Sequence, residues 1–192
     1  LLSKLLCAEA EGDKLSESEL ISMVYILLLA GNETSVNLVG NGILALLRHP
    51  DQLKKLQQDP SLIKTAVDEF LRYQGPLLSA GQRWASEDIE LNGQLIPRGA
   101  SVIVLLASAN RDENEFERAE ELDLAREENR HLAFGKGIHY CLGAPLARLE
   151  GQVAIGTILR RMPNLRLAMD PQALTWRPGL LLMGLSRLPV RF

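Results

Sequence analysis

Residues Phe134–Gly143 read F-G-K-G-I-H-Y-C-L-G, and the rest of the chain is interpreted around this stretch. It holds one of the two cysteines and one of the three histidines. Glycines on both sides of a lone cysteine suit a loop pressed against something flat, because Gly135 and Gly137 can adopt backbone conformations closed to other residues. The run from Pro145 to Met162 has helical character. Cys141 is therefore expected just before a helix N-terminus, where the dipole and free N–H groups favour an anion. A thiolate in that setting has a lowered pKa and is a good metal ligand.

Composition narrows the classes. The 192 residues suffice for one sizeable core, and 46% hydrophobic with 23% charged residues is ordinary for a soluble globular protein. A net charge of -3 gives no electrostatic footprint for nucleic acid. The two cysteines do not form a disulfide framework, and Cys7 reads as a small packing residue on an apolar helical stretch, Leu1–Glu11. The apolar run Ile21–Ala30 falls well short of the ~20 residues that span a bilayer, and no charged leader with a cleavage site opens the chain. A cytoplasmic protein without membrane association is expected. Zinc needs about four closely spaced ligands, which Cys141 with His131 and His139 does not supply.

Local chemistry places the elements. Ser16 and Glu19 form a capping box that starts a long helix, and His49-Pro50 stops it near Arg48. Within it, Ala30-Gly31-Asn32-Glu33-Thr34-Ser35 is poor helix chemistry, and its hydroxyls can bond back to carbonyls four residues earlier. Asp51–Gln58 is a short helix. Ser61–Tyr73 is amphipathic and carries Glu69 and Arg72 on one side. Asn92-Gly93 is a two-residue hairpin signal, and Pro97-Arg98-Gly99 a second turn. Ser101–Leu106 reads as a buried strand or short helix, and Phe116–Arg130 as a charged, irregular segment.

The pattern F-G-x-G-x-H-x-C-x-G resembles the haem-ligand loop of cytochromes P450. Three further segments resemble that family in order: A-G-N-E-T-S at Ala30–Ser35, E-F-L-R at Glu69–Arg72, and R-W-A-S-E-D-I-E-L-N-G-Q-L-I-P-R-G at Arg83–Gly99. The resemblance implies a mainly α fold with a small β-sheet, the C-terminal portion of the cytochrome P450 fold. Residues 1–192 would then be the haem-binding part of a single domain whose N-terminal half is absent. It implies haem b, with Cys141 as the axial thiolate on the iron. Phe134, Gly135, Gly137 and Gly143 would hold the loop against the porphyrin. Arg83, His131 and His139 would meet its propionates, and Leu78 and Ala147 would join Ala30 and Gly31 in contacting the ring.

By the same resemblance, Glu33 and Thr34 are catalytic, delivering protons to oxygen bound above the iron, while Ala30 and Gly31 leave it room. Glu69, Arg72 and Arg126 would form a structural network behind the loop. Asn110-Arg111-Asp112-Glu113 resembles a family turn, with Glu113 where proline is usual. Leu77, Leu78, Ser79 and Ala80, with Leu181 and Leu182 on a terminal β-hairpin, would line the substrate pocket. The implied activity is monooxygenation of a small hydrophobic compound, of secondary-metabolite, polyketide, fatty-acid or terpenoid type. A separate ferredoxin or flavodoxin would supply electrons, since the chain carries no flavin or iron–sulfur motif. A second reading makes the chain a truncated, non-catalytic piece that binds haem weakly or needs its missing half.

Overall fold

The computed structural model describes residues 9–10 and 13–192. Leu1–Ala8, with Cys7, lie outside the described residues. Glu9–Ala10 do not continue a helix: they are extended (β1) and pair antiparallel with Asp13–Lys14 (β2).

The capping box forms as the sequence leads one to expect. The Ser16 hydroxyl accepts from the Glu19 N–H at 3.3 Å, and the Glu19 carboxylate accepts from the Ser16 N–H at 2.8 Å. From this cap helix α1 runs Glu17–Arg48 without a break, and His49 ends it. By length and composition α1 is long and apolar enough to cross a membrane. Its most apolar window is largely exposed here, and the buried residues of α1 lie between Asn37 and Leu46.

Pro50 starts α2 (Pro50–Gln58), where its missing N–H costs nothing. A 3₁₀ turn at Pro60–Leu62, capped by Asp59, leads into α3 (Ile63–Gln74). After the β segments come the short α4 (Leu106–Ala109) and then α5 (Ala144–Arg161). Helices α1, α3 and α5 pack against one another. Leu38, Leu46, Val67, Phe70, Leu71, Leu124 and Ile155 form the core between them. Each such side chain contributes about 1.5–3 kcal/mol on burial. The helices cross closely at glycines: a Cβ on Gly42 would lie 3.0 Å from both Ile155 and Phe70, and one on Gly151 3.1 Å from Val67.

Four two-stranded β pairs surround this helical core among the described residues. β4 (Ile89–Leu91) pairs with β5 (Gln94–Ile96) through Asn92-Gly93. Both turn residues have positive φ, 51° and 75°, as a tight primed turn requires. β3 (Arg83–Trp84) pairs with β6 (Ser101–Val102). The expectation of a buried element over Ser101–Leu106 is corrected: Ile103, Val104 and Leu105 are exposed, and Leu106 alone is buried. Phe116–Arg130 is irregular but not merely solvated, since Phe116, Ala119, Leu122 and Leu124 are buried within it. Near the C-terminus, β7 (Arg166–Leu167) pairs with β8 (Val190–Arg191), and Leu182 bridges to Leu77.

One consequence is a contrast between two glycines of α1. Gly42→Leu should destabilise the fold by about 1–3 kcal/mol through overpacking. Gly31→Ala meets open space and should be neutral or up to about 1 kcal/mol stabilising. Urea unfolding of the two variants measures both signs.

Candidate functional site

Behind the loop lies a buried ion network. Glu69 and Arg72, one turn apart on α3, are almost fully buried and paired through two bonds of 2.8 Å each. The remaining Arg72 donors go to the carbonyls of Asn110, Ala119 and Glu121, at 3.0, 2.6 and 2.7 Å. Glu69 also accepts from Arg126 Nε at 3.2 Å, the Asp123 N–H at 2.9 Å and Asn129 at 3.0 Å. Three segments of chain are thereby fixed to one point on α3. The Asn110 side chain carries the connection forward by accepting the Leu132 N–H at 2.7 Å, two residues before Phe134.

The loop itself is shaped by two left-handed glycines, Gly135 (φ 70°) and Gly137 (φ 77°). The Cys141 N–H donates back to the Phe134 carbonyl at 2.9 Å, closing the loop, and a 3₁₀ turn spans Gly137–His139. Gly143 differs from the other two. Its φ is -81°, it is the N-cap of α5, and a Cβ there would meet only Cys141 Sγ at 3.8 Å. Cys141 thus stands two residues before the N-cap, with its side chain exposed and no disulfide.

A second ionic brace secures the loop from α3 and α5. Asp68 Oδ1 accepts from Arg148 Nε at 2.8 Å and faces His131 Nε2 at 3.0 Å. The Arg148 guanidinium lies 4.7 Å from the centre of the Phe134 ring and donates to the Tyr140 hydroxyl at 3.3 Å. Burial alone would raise the Asp68 pKa, but hydrogen bonds from His131 and Arg148 and the Arg148 charge hold it below the usual carboxylate range. Burial opposes the charge on Arg148 too, and its bonds to Tyr140 and Asp68 more than compensate.

His131 is a correction. With 2% of its side chain exposed, its ring faces Asp68 through Nε2 and accepts the Ala133 N–H through Nδ1. Both nitrogens are engaged behind the loop, so the ring has none free for a propionate. His139 is exposed and has no hydrogen-bond partner among the described residues. Arg83 is exposed and donates only to the carbonyls of Gly81 and Gln82. These two remain available to anionic groups.

The front of the site is open and apolar. Ile138 and Leu142, 97% and 87% exposed, flank the cysteine, and Leu146 and Leu149 continue the exposed surface along α5. Ala147 is half-buried and bonds back to Gly143. Among the described residues no three of His, Cys, Asp and Glu converge on a metal. A free, exposed cysteine sulfur, an apolar surround, and Arg83 and His139 without an ion-pair partner among the described residues suit a flat, dicarboxylate macrocycle whose metal needs one protein ligand. The residues present fit haem.

On α1, Thr34 Oγ1 donates to the Ala30 carbonyl at 2.6 Å, and Glu33 pairs with Arg177 Nη1 at 3.0 Å. Ala30 and Gly31 are exposed, with open space at Gly31. Ser35 donates to Glu150, nine residues beyond Cys141, so the Thr34 turn and the helix after the cysteine are tied directly together. Glu33 also lines a cavity of ≈ 280 Å³ with Arg177, Leu180, Leu181 and Leu182. Leu78 and Leu181 are joined by a backbone bond of 2.9 Å, and the Ala80 N–H donates to Val104. Ser79 is corrected from a pocket residue to a buried one: its hydroxyl donates to the Leu180 carbonyl at 2.7 Å.

The cytochrome P450 family model matches residues 1–174. The chain belongs to the cytochrome P450 family. It is 51% identical over 190 residues to the polyketide biosynthesis cytochrome P450 PksS of Bacillus subtilis (strain 168), covering 99% of this chain and 47% of that protein. It is 47% identical over 193 residues to the cytochrome P450 monooxygenase PikC of Streptomyces venezuelae, covering 100% of this chain and 46% of that one. The solved structure of PksS superposes with a TM-score of 0.95, covering 98% of this chain and 48% of PksS. The ligand-free P450 monooxygenase TamI gives 0.95 at 49% identity, covering 99% and 46%. The chain spans about half the length of the curated relatives it matches. As a P450 chain, it has haem as its cofactor.

Asp68, Arg148 and Glu150 were missed by reading the sequence alone, and Ser35 and Asn110 were named only as members of their segments, without these contacts. Asp68 carried a weak signal, since it precedes Glu69 of the E-F-L-R segment.

The Asp68 brace has a defined pH dependence. A depressed carboxylate contributes stability that is present above its unfolded pKa, about 3.9, and is lost as pH falls through the lower folded value. Asp68→Asn should therefore cost about 1–3 kcal/mol at neutral pH. The melting-temperature gap between the two proteins should narrow as pH falls below about 4.

Proposed function

We propose that the chain is the haem-carrying part of a bacterial-type cytochrome P450 monooxygenase. In this reading the enzyme inserts one oxygen atom of O2 into a small hydrophobic compound. One observation carries it: a free, exposed cysteine on a glycine-shaped loop, braced from behind by two ionic networks and open in front. Residues 1–192 would belong to one domain of a longer protein.

Haem, when bound through Cys141, supplies the binding and reductive activation of O2. The residues of the chain do the rest. Cys141 donates electron density through its sulfur. Phe134, Gly135 and Gly137 hold the loop in shape, while Gly143 begins the helix behind it. Arg83 and His139 take the carboxylates, without His131. Leu78 and Ala147 meet the apolar ring.

Glu33 and Thr34 handle protons. In the present rotamer the Thr34 hydroxyl hydrogen is used on Ala30, so its oxygen can accept but not donate. A turn about its side-chain bond would be needed before it passes a proton on. Glu33, whose carboxylate accepts from Arg177 at the cavity in this structure, would have to leave that pair and take up a proton from solvent before it supplies the acid. Ala30 and Gly31 leave space beside them.

The substrate proposed is polyketide-derived. PksS is named for polyketide biosynthesis, and TamI has been solved bound to tirandamycin C. Leu181 and Leu182 would form its apolar wall. One relative, P450BioI, was crystallised with a fatty-acyl-loaded acyl carrier protein, so a carrier-bound substrate is the competing form. Electrons come from a separate ferredoxin or flavodoxin, and the cytoplasm is the proposed location.

The test is spectroscopic. Haem-loaded, reduced protein treated with CO should show the Soret band of thiolate-ligated haem, and Cys141→Ala should abolish it. Persistence of the band in that variant would overturn the ligand assignment. In the loaded enzyme, Thr34→Ala and Glu33→Gln should each lower product formed per O2 consumed by about 10²-fold or more, with the CO band unchanged.

A further inference from the structure

Two asparagines lie within the apolar second half of α1. Asn37 and Asn41 follow Thr34 by three and seven residues, so all three share one face of the helix. Both are buried, Asn41 to 1% exposure. The Asn41 amide donates to the Met183 carbonyl at 2.9 Å and the Gln74 carbonyl at 3.2 Å, using both its N–H groups. Its Oδ1, and the Nδ2 of Asn37, have no partner. As packing, this arrangement is inferior to leucine, because unpaired buried polar atoms cost free energy. What the amide supplies is direction.

The bond lands on a segment that needs positioning. Residues 180–183 zip onto 76–79: Met183 N–H to Pro76 at 2.8 Å, the Leu182–Leu77 bridge, and Leu78 N–H to Leu181 at 2.9 Å. A slip of one residue in such a pairing would exchange the faces of Leu181 and Leu182. The next residue, Gly184, lies flat on Asn37. A Cβ there would fall 2.2 Å from Asn37 Oδ1 and 2.7 Å from Nδ2.

We infer that Asn41 and Gly184 are positioning residues for substrate choice. They set the register and height of the Leu181–Leu182 wall over the Glu33–Thr34 turn, so that Leu181 and Leu182 present a fixed surface to the cavity. This rests on the monooxygenase reading for its consequence in ligand choice, but not for the mechanical link itself.

The test uses Asn41→Leu, Asn41→Asp and Gly184→Ala, read in two ways. Hydrogen exchange of the cofactor-free chain should rise about tenfold or more in residues 176–186 and stay unchanged in 63–70 and 134–143. In the haem-loaded protein, a series of n-alkylimidazoles from methyl to dodecyl should show a shifted optimum of chain length, with the CO band intact. A uniform rise in exchange, or no rise at 176–186, overturns the proposal, as does an unchanged alkyl-length optimum in variants with raised local exchange. Should the parent protein lack the thiolate CO band, the monooxygenase reading fails, while the exchange arm still decides the mechanical link.

Discussion

The Arg72 guanidinium has five N–H donors, and all five are used: two on Glu69 and three on the carbonyls of Asn110, Ala119 and Glu121. A charge that deep is costly unless every donor is met, because removal from water is compensated only by complete hydrogen bonding. Here the compensation comes mostly from backbone of irregular segments that have no strand or helix of their own to satisfy them. The ion pair and the irregular chain therefore depend on each other. Asn110 extends the dependence to Leu132, and so to the start of the cysteine loop.

The loop consequently has two unlike sides. Behind it, His131, Asp68, Arg148 and Phe134 form a closed set of ionic, hydrogen-bonded and ring contacts. In front, Cys141, His139, Ile138 and Leu142 are exposed. Rigid backing with an open face is the condition for binding a flat cofactor without first reorganising the backbone. The same asymmetry recurs on α1. Its second half is locked in the core, whereas Ile21, Tyr25, Ile26, Leu28 and Leu29 of its first half are exposed. An apolar stripe of that extent exceeds the scattered apolar residues of an ordinary surface and marks a contact face.

Much of this was legible because it is local. Ser16 and Glu19 form their cap three residues apart, His49-Pro50 ends a helix within one step, and Asn92-Gly93 turns between strands that it touches. Glu69 and Arg72 face one way because a helix places residues three apart on the same side. The rest was not legible, because it joins residues distant in the chain: Asp68 to Arg148, Ser35 to Glu150, Asn41 to Met183, 142 residues on. His131 and Ser79 were misread for that reason. Each is turned away by a partner its own segment does not contain, Asp68 for His131 and Leu180 for Ser79.

By itself the sequence determined the glycine-framed cysteine, the caps and turns that bound each element, and the one-turn spacing of the α3 ion pair. These follow from backbone sterics and short-range hydrogen bonding, which act before the chain has closed on itself. Only the tertiary structure decided which groups were already spent. It gave both nitrogens of His131 to Asp68 and Ala133, the Ser79 hydroxyl to Leu180 and the Asn41 amide to Met183, while leaving Cys141 and His139 free. A polar group's availability depends on what packing brings within about 3 Å of it, and no pattern along the chain encodes that distance.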